Sequence, residues 1–141
     1  MKKFLQNIHK NFLLYLILTI IIFTSHSMSA QNKNSMVRIS EIEIYPEYLT
    51  EYKSILKEEA SASVKLEPGV VAIYPMYQKN DSTQIRILEI YNDQDSYQSH
   101  LKTPHFQKYK TTTVKMVKSL KLVDMNTIDS ESMKMMFRKI N

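Results

Sequence analysis

The sequence predicts an α+β fold: one four-stranded antiparallel sheet with two helices on one face. Three observations point there. Residues 37–45 and 83–91 are rich in β-branched side chains and partly alternate apolar with polar, the period of a strand. Residues 48–64 place apolar side chains at steps of three and four, the period of an amphipathic helix. Turn and stop signals divide the remainder so that the order reads β-α-β-β-α-β, the split βαβ or ferredoxin-like arrangement.

The first strand, Val37 to Tyr45, sets Ile42 and Ile44 on one face and Glu41 and Glu43 on the other. Pro46 suits the first position of a helix, and Glu47 and Glu51 suit the positive end of its dipole. Tyr48, Leu49, Tyr52, Ile55, Leu56, Ala60 and Val64 form its apolar stripe, and Glu67-Pro68-Gly69 ends it near Leu66. Val70 to Tyr77 is the second strand, Lys79-Asn80-Asp81-Ser82 a hairpin turn, and Thr83 to Tyr91 the third strand. Asn92 or Asp93 caps a second helix that begins around Gln94 and carries Tyr97, His100 and Leu101 on one side. Thr103-Pro104 interrupts this helix and restarts it, Thr as cap and Pro as first residue, and the continuation carries Phe106, Tyr109, Val114 and Val117. Leu120 to Ile128 is the last strand. The domain is thus expected over residues 37–128, after a polar linker at 31–36. A Met-rich tail at 129–141, with Met133, Met135, Met136 and Phe137, is expected to dock on the body or on a partner subunit.

The first thirty residues read as an address. Lys2 and Lys3 precede an apolar run from Phe12 to Phe23, too short as a helix to cross a hydrocarbon core of about 30 Å. Small polar residues follow, and a cut after Ser29 or Ala30 would complete a secretory signal peptide. The expected location is therefore periplasmic or secreted, without stable membrane insertion after processing. A retained N-terminal anchor is the alternative.

Composition excludes several classes of function. The 141 residues include no cysteine, which removes disulfides, thiolate metal sites and a thiol nucleophile. With one glycine, Gly69, there is no phosphate-binding loop or dinucleotide fingerprint. The net charge of +5 falls to +2 once residues 1–30 are removed, because Lys2, Lys3 and Lys10 leave with no acid. What remains is segregated: residues 39–67 carry a net −4 and residues 96–123 a net +6. An acidic first helix beside a basic second one points to pairing within the fold or steering of an anionic ligand, and no nucleic acid is expected as partner.

Chemistry concentrates around the histidines. His100 and His105 are the only two beyond residue 30, and their i, i+5 spacing with no acid between them falls short of three convergent ligands. No metal is expected. His100 lies three residues after Tyr97, on the flank of the apolar stripe. It is either a buried histidine with one partner or a proton acceptor in a pocket. Glu89 stands on a strand face otherwise made of Ile85, Ile87 and Tyr91, where an unpaired charge is costly, so a Glu89–His100 pair is expected. The pair either orients structure or fixes the imidazole tautomer and raises its basicity.

Glu67-Pro68-Gly69-Val70, then Leu88-Glu89-Ile90-Tyr91-Asn92-Asp93, then His100-Leu101-Lys102-Thr103-Pro104-His105-Phe106 with Tyr109 resemble the antibiotic biosynthesis monooxygenase (ABM) family, quinol monooxygenases included. The likeness spans about residues 37–126. It implies a dimeric α/β barrel with a pocket between sheet and helices, and oxygenation of quinols or polycyclic phenols by O₂ without metal, flavin or haem. Carried onto this chain, His100 becomes the base and Glu89 its orienter, and His105, Tyr91, Phe106 and Tyr77 the substrate-binding set. Tyr91 stands where several relatives carry tryptophan, and the lack of any tryptophan sets the chain apart from the haem-degrading branch. The alternative function is an exported, non-catalytic dimeric module that binds a small aromatic or quinone-like ligand. A third reading, a purely structural dimer, requires a core with no cavity.

A sheet covered by helices on one side leaves its other face bare, and the simplest cover is a second copy about a two-fold axis. Sedimentation is expected to show a homodimer; a stable monomer at micromolar concentration would count against it.

Overall fold

The computed structural model describes residues 35–140, apart from the side chains of Phe137 and Ile140. The signal-peptide expectation, and all but the end of the linker, lie outside them. The elements are β1 (Met36–Ile44), a 3₁₀ turn (Pro46–Tyr48), α1 (Leu49–Leu66), β2 (Val70–Tyr77) and β3 (Gln84–Tyr91). There follow α2 (Gln94–His100), α3 (Pro104–Thr113), a second 3₁₀ turn (Val114–Met116), β4 (Val117–Met125) and α4 (Ser130–Ile140). The strands form one antiparallel sheet in the order β2-β3-β1-β4, as the ferredoxin-like order requires. No helix among the described residues is long and apolar enough to cross a membrane.

Register decides which side chains meet the helices. Ile42 lies opposite Ile85 on one side and Leu120 on the other, and Ser40 lies between Ile87 and Leu122. With a side-chain period of two, this row and Arg38, Glu89 and Tyr91 share one face. Against it α1 brings Tyr52, Leu56 and Ala60, and the core closes with Ile44, Ile73 and Met116. The opposite face exposes Tyr74, Met76 and Met125.

The caps fall at the expected residues. Asp93 accepts from the Ser96 amide at 2.7 Å at the start of α2, and Thr103 Oγ1 accepts from the Phe106 amide at 3.3 Å at the start of α3. Three boundaries differ from expectation. Pro46 opens a 3₁₀ turn, and the α-helix itself begins at Leu49. The second helical segment stops at Thr113, since the run Thr111-Thr112-Thr113-Val114 is β-branched and resists helix. Met116 is fully buried and its carbonyl accepts from the Tyr45 amide at 3.0 Å, which pins the turn and starts β4 three residues early. Val114 is therefore exposed, Val117 pairs with Ile44, and Ile128 lies beyond the strand in solvent. The tail is helical, with Met135 and Met136 exposed.

Gly69 links α1 to the rest. Its carbonyl accepts from the Asn92 amide at 2.9 Å, and the Asn92 side-chain amide donates to the Pro68 carbonyl at 3.1 Å. A Cβ on Gly69 would sit 2.5 Å from Ser96 Oγ and 2.6 Å from Ser96 Cβ, so closeness to α2, not a left-handed backbone, requires glycine. Gly69→Ala is expected to lower stability by about 1–3 kcal/mol, read as a lower urea midpoint at unchanged m-value.

Candidate functional site

Between the sheet face and helices α1, α2 and α3 lies a cavity of about 630 Å³, within the size range of small-molecule sites. Its apolar walls include Leu56, Ile73, Ile87 and Phe106, and its polar groups include Arg38, Ser40, Glu59, Glu89, His100 and Tyr109. Leu120 and Leu122 line it while staying about half exposed, so it opens along the β4 edge. Between the end of α2 at His100 and the start of α3 at Pro104 the helix is interrupted, and α3 lines the cavity with Phe106, Tyr109, Lys110 and Thr113.

His100, the last residue of α2, is 2% exposed. Phe106 packs on its ring at 4.6 Å between centroids and Tyr91 at 5.5 Å. Its Nδ1 lies 3.0 Å from Glu67 Oε1, and His105 Nε2 reaches the same oxygen at 2.6 Å. Burial alone would push the Glu67 carboxyl up, but the hydrogen bonds from His100 and His105 outweigh it and hold the group below the usual carboxylate range. An ionised carboxylate only accepts, so both imidazoles donate: His100 through Nδ1–H and His105 through Nε2–H. In neutral His100 the free lone pair is then on Nε2, the edge that faces Glu59 at 3.7 Å.

Glu59 is 5% exposed, and burial pushes its carboxyl up, against the opposing hydrogen bond that it accepts from Ser63 Oγ at 2.7 Å. Glu89 has other partners: Ser40 Oγ donates to one oxygen, and the Tyr91 hydroxyl donates to the other at 2.9 Å. Burial and the Glu89 carboxylate raise the Tyr91 hydroxyl well above its ordinary value. Tyr52 and Tyr109 share a hydrogen bond at 2.7 Å, and burial raises the Tyr109 phenol to about 12. All three phenols stay protonated at neutral pH; Tyr91 donates to Glu89, and either hydroxyl of the Tyr52–Tyr109 pair can be the donor. Arg38, also buried, is held by Asp124 at 2.7 Å and by the Tyr97 ring at 4.6 Å.

The expected Glu89–His100 pair is therefore corrected. Both residues line the cavity, but the carboxylate that orients His100 is Glu67, with Glu59 beside the other nitrogen. Glu89 needs no histidine because a serine and a tyrosine on neighbouring positions of the same sheet face satisfy it. Tyr77 is also corrected: it is 57% exposed, its ring lies under Lys53 Nζ at 3.6 Å, and it does not line the cavity. Phe106 lines it; His105 and Tyr91 stand one layer behind, holding Glu67 and Glu89. Sequence reasoning missed Glu59, Glu67 and Arg38 as site residues. Glu59 had a signal, because it interrupts the apolar stripe three residues after Leu56 and one before Ala60. Glu67 stood in the helix stop and in a motif of the family resemblance, but nothing in the sequence paired it with a histidine.

A family model described as antibiotic biosynthesis monooxygenase matches residues 35–112. A provisionally named antibiotic biosynthesis monooxygenase from Bacteroides thetaiotaomicron is 47% identical, over 70% of this chain and 93% of that one, with a TM-score of 0.69. A provisionally named monooxygenase from Lactobacillus acidophilus is 26% identical over 70% of this chain and 46% of its own, with a TM-score of 0.65. A provisionally named relative from Nitrosomonas europaea, at 17% identity and a TM-score of 0.65, shares the fold. No curated protein matches the sequence.

The two acids by His100 give opposite pH signatures. A lowered folded pKa, as for Glu67, adds stability that is present above the unfolded value near 4.3 and lost as pH falls through the folded one. A raised one, as for Glu59, costs stability that accrues as pH rises from the unfolded value towards the folded one and stays constant above it. Urea titrations are expected to find Glu67→Gln less stable than the parent at about pH 8 and Glu59→Gln more stable, with both differences narrowing below about pH 4.

Proposed function

This chain belongs to the antibiotic biosynthesis monooxygenase family, and we propose that it oxygenates a quinol or polycyclic phenol with O₂, using His100 Nε2 as the base. One observation carries the reading. Glu67 and His105 fix the proton of His100 on Nδ1, which leaves the lone pair of Nε2 on the cavity side of a buried ring. A base needs that arrangement: one nitrogen committed to an orienting carboxylate, the other free to take a proton.

The chemistry uses the walls as they stand. A flat aromatic substrate enters along the β4 edge and lies against Phe106, Ile73 and Ile87. His100 Nε2 removes the phenolic proton, or the CH₂ proton of the keto tautomer, giving the same electron-rich anion, which gives one electron to O₂. Radical and superoxide combine at carbon, the proton returns from the imidazolium to the peroxide, and loss of water leaves a carbonyl. A CH₂ and O₂ thus become C=O and H₂O. Arg38 provides a fixed positive charge on the cavity wall where negative charge develops, and the apolar walls limit water. The open volume also removes the main support for a purely structural role. Two copies joined through the face that exposes Tyr74 and Met76 would leave each cavity open, which suits the proposed homodimer.

Oxygen uptake with menadiol-, anthrone- and naphthol-like substrates tests the reading. His100→Ala is expected to lower turnover about 10²–10⁴-fold, the usual contribution of a positioned base. Glu67→Gln is expected to lower kcat more than it changes KM. Saturable binding without turnover, unchanged in His100→Ala, would instead establish the non-catalytic ligand-binding module.

A further inference from the structure

We propose that Glu67, His100 and His105 form a binding site for a divalent transition cation of the Zn²⁺ class. Glu67 Oε1, His100 Nδ1 and His105 Nε2 all lie within 4.8 Å of one another. The two ring nitrogens aim at a single oxygen, at 3.0 and 2.6 Å, so their lone pairs would converge close to where that oxygen now sits. A cation there needs the imidazoles to close to about 2.0–2.1 Å and the carboxylate to draw back by a similar length. The donor set, two imidazoles and one carboxylate, suits Zn²⁺ or Co²⁺; Mg²⁺ and Ca²⁺ take all-oxygen sets.

Two features favour an ion in place of the two N–H···O contacts. The side chains of Glu67 and His105 keep 11% and 19% of their exposure, so the cluster is enclosed without being sealed. The second is the carboxyl of Glu59, 3.7 Å from His100 Nε2. On coordination through Nδ1, the proton of neutral His100 moves to Nε2, where Glu59 accepts it, the partner that a metal-bound histidine ordinarily has on its other nitrogen. His105 shifts its own proton to Nδ1, so the neutral rings release none. Taken with the reading of His100 as the base, a bound cation puts a proton on Nε2 and stops turnover. The site would make the enzyme sensitive to zinc.

The experiment titrates the chelator-treated chain with Co²⁺, followed by visible absorption, and with Zn²⁺ in equilibrium dialysis. One Co²⁺ per chain is expected at this site, with ligand-field bands of a nitrogen–oxygen set, displaced by Zn²⁺ and unmoved by Mg²⁺. His105→Ala and Glu67→Gln should each weaken binding about tenfold or more. Since His105 is partly exposed, His105→Ala is the variant chosen to keep the fold, checked by circular dichroism, and it decides the question even if Glu67→Gln does not fold. No binding at millimolar Co²⁺, or binding unchanged in His105→Ala, overturns the site. Binding without inhibition keeps the site and overturns the role of His100 Nε2 as base.

Discussion

The Glu67 carboxylate, taking one N–H from His100 and another from His105, is the contact on which the rest of the site depends. It joins the end of α1 to the last residue of α2 and the second of α3. Without it, the tautomer of a ring buried among Phe106 and Tyr91 would be undetermined. The contact exists because the chain leaves α1 through Pro68 and Gly69, and their carbonyls are held by Asn92. A bulkier residue at 69 would press Ser96 away and carry α2 with it. The only glycine of the chain therefore serves the histidine cluster at one remove.

Around this contact the protein places two carboxyls in opposite environments. Glu67, just past the end of α1, is held ionised by two donors, while Glu59, eight residues earlier on the helix and deeper, is pushed toward its neutral form by burial. Carboxyls whose surroundings pull their pKa values apart are the usual arrangement of sites that move protons. Among the described residues no buried polar side-chain atom lacks a partner.

Charge segregation along the sequence has a structural counterpart. Lys108 of α3 pairs with Glu58 of α1 at 2.7 Å, and Lys118 of β4 with Glu43 of β1 at 2.7 Å. Both pairs are largely exposed and add little stability. Their value is positional: the acidic and the basic segments are neighbours, as the charge pattern implied.

The elements were legible because their signals are local: the alternation of Ile42 and Ile44, the stripe from Tyr52 to Ala60, the stop at Glu67-Pro68-Gly69, and Thr103-Pro104 as a fresh helix start. The last strand was displaced because Met116 is pinned by the Tyr45 amide, a contact that joins residues far apart in sequence. Partnership failed for the same reason. Glu89 was visible as a carboxylate on an apolar face, yet its partners Ser40 and Tyr91 were settled by the pairing of β1 with β3 and by side-chain direction on one strand. The sequence by itself determined the α+β class and the family likeness, since periodicity and motif spacing survive without a third dimension. Only the tertiary structure decided that Glu67, 33 residues away from His100, is its orienter. A hydrogen bond depends on distances of a few tenths of an ångström, and the fold sets those distances.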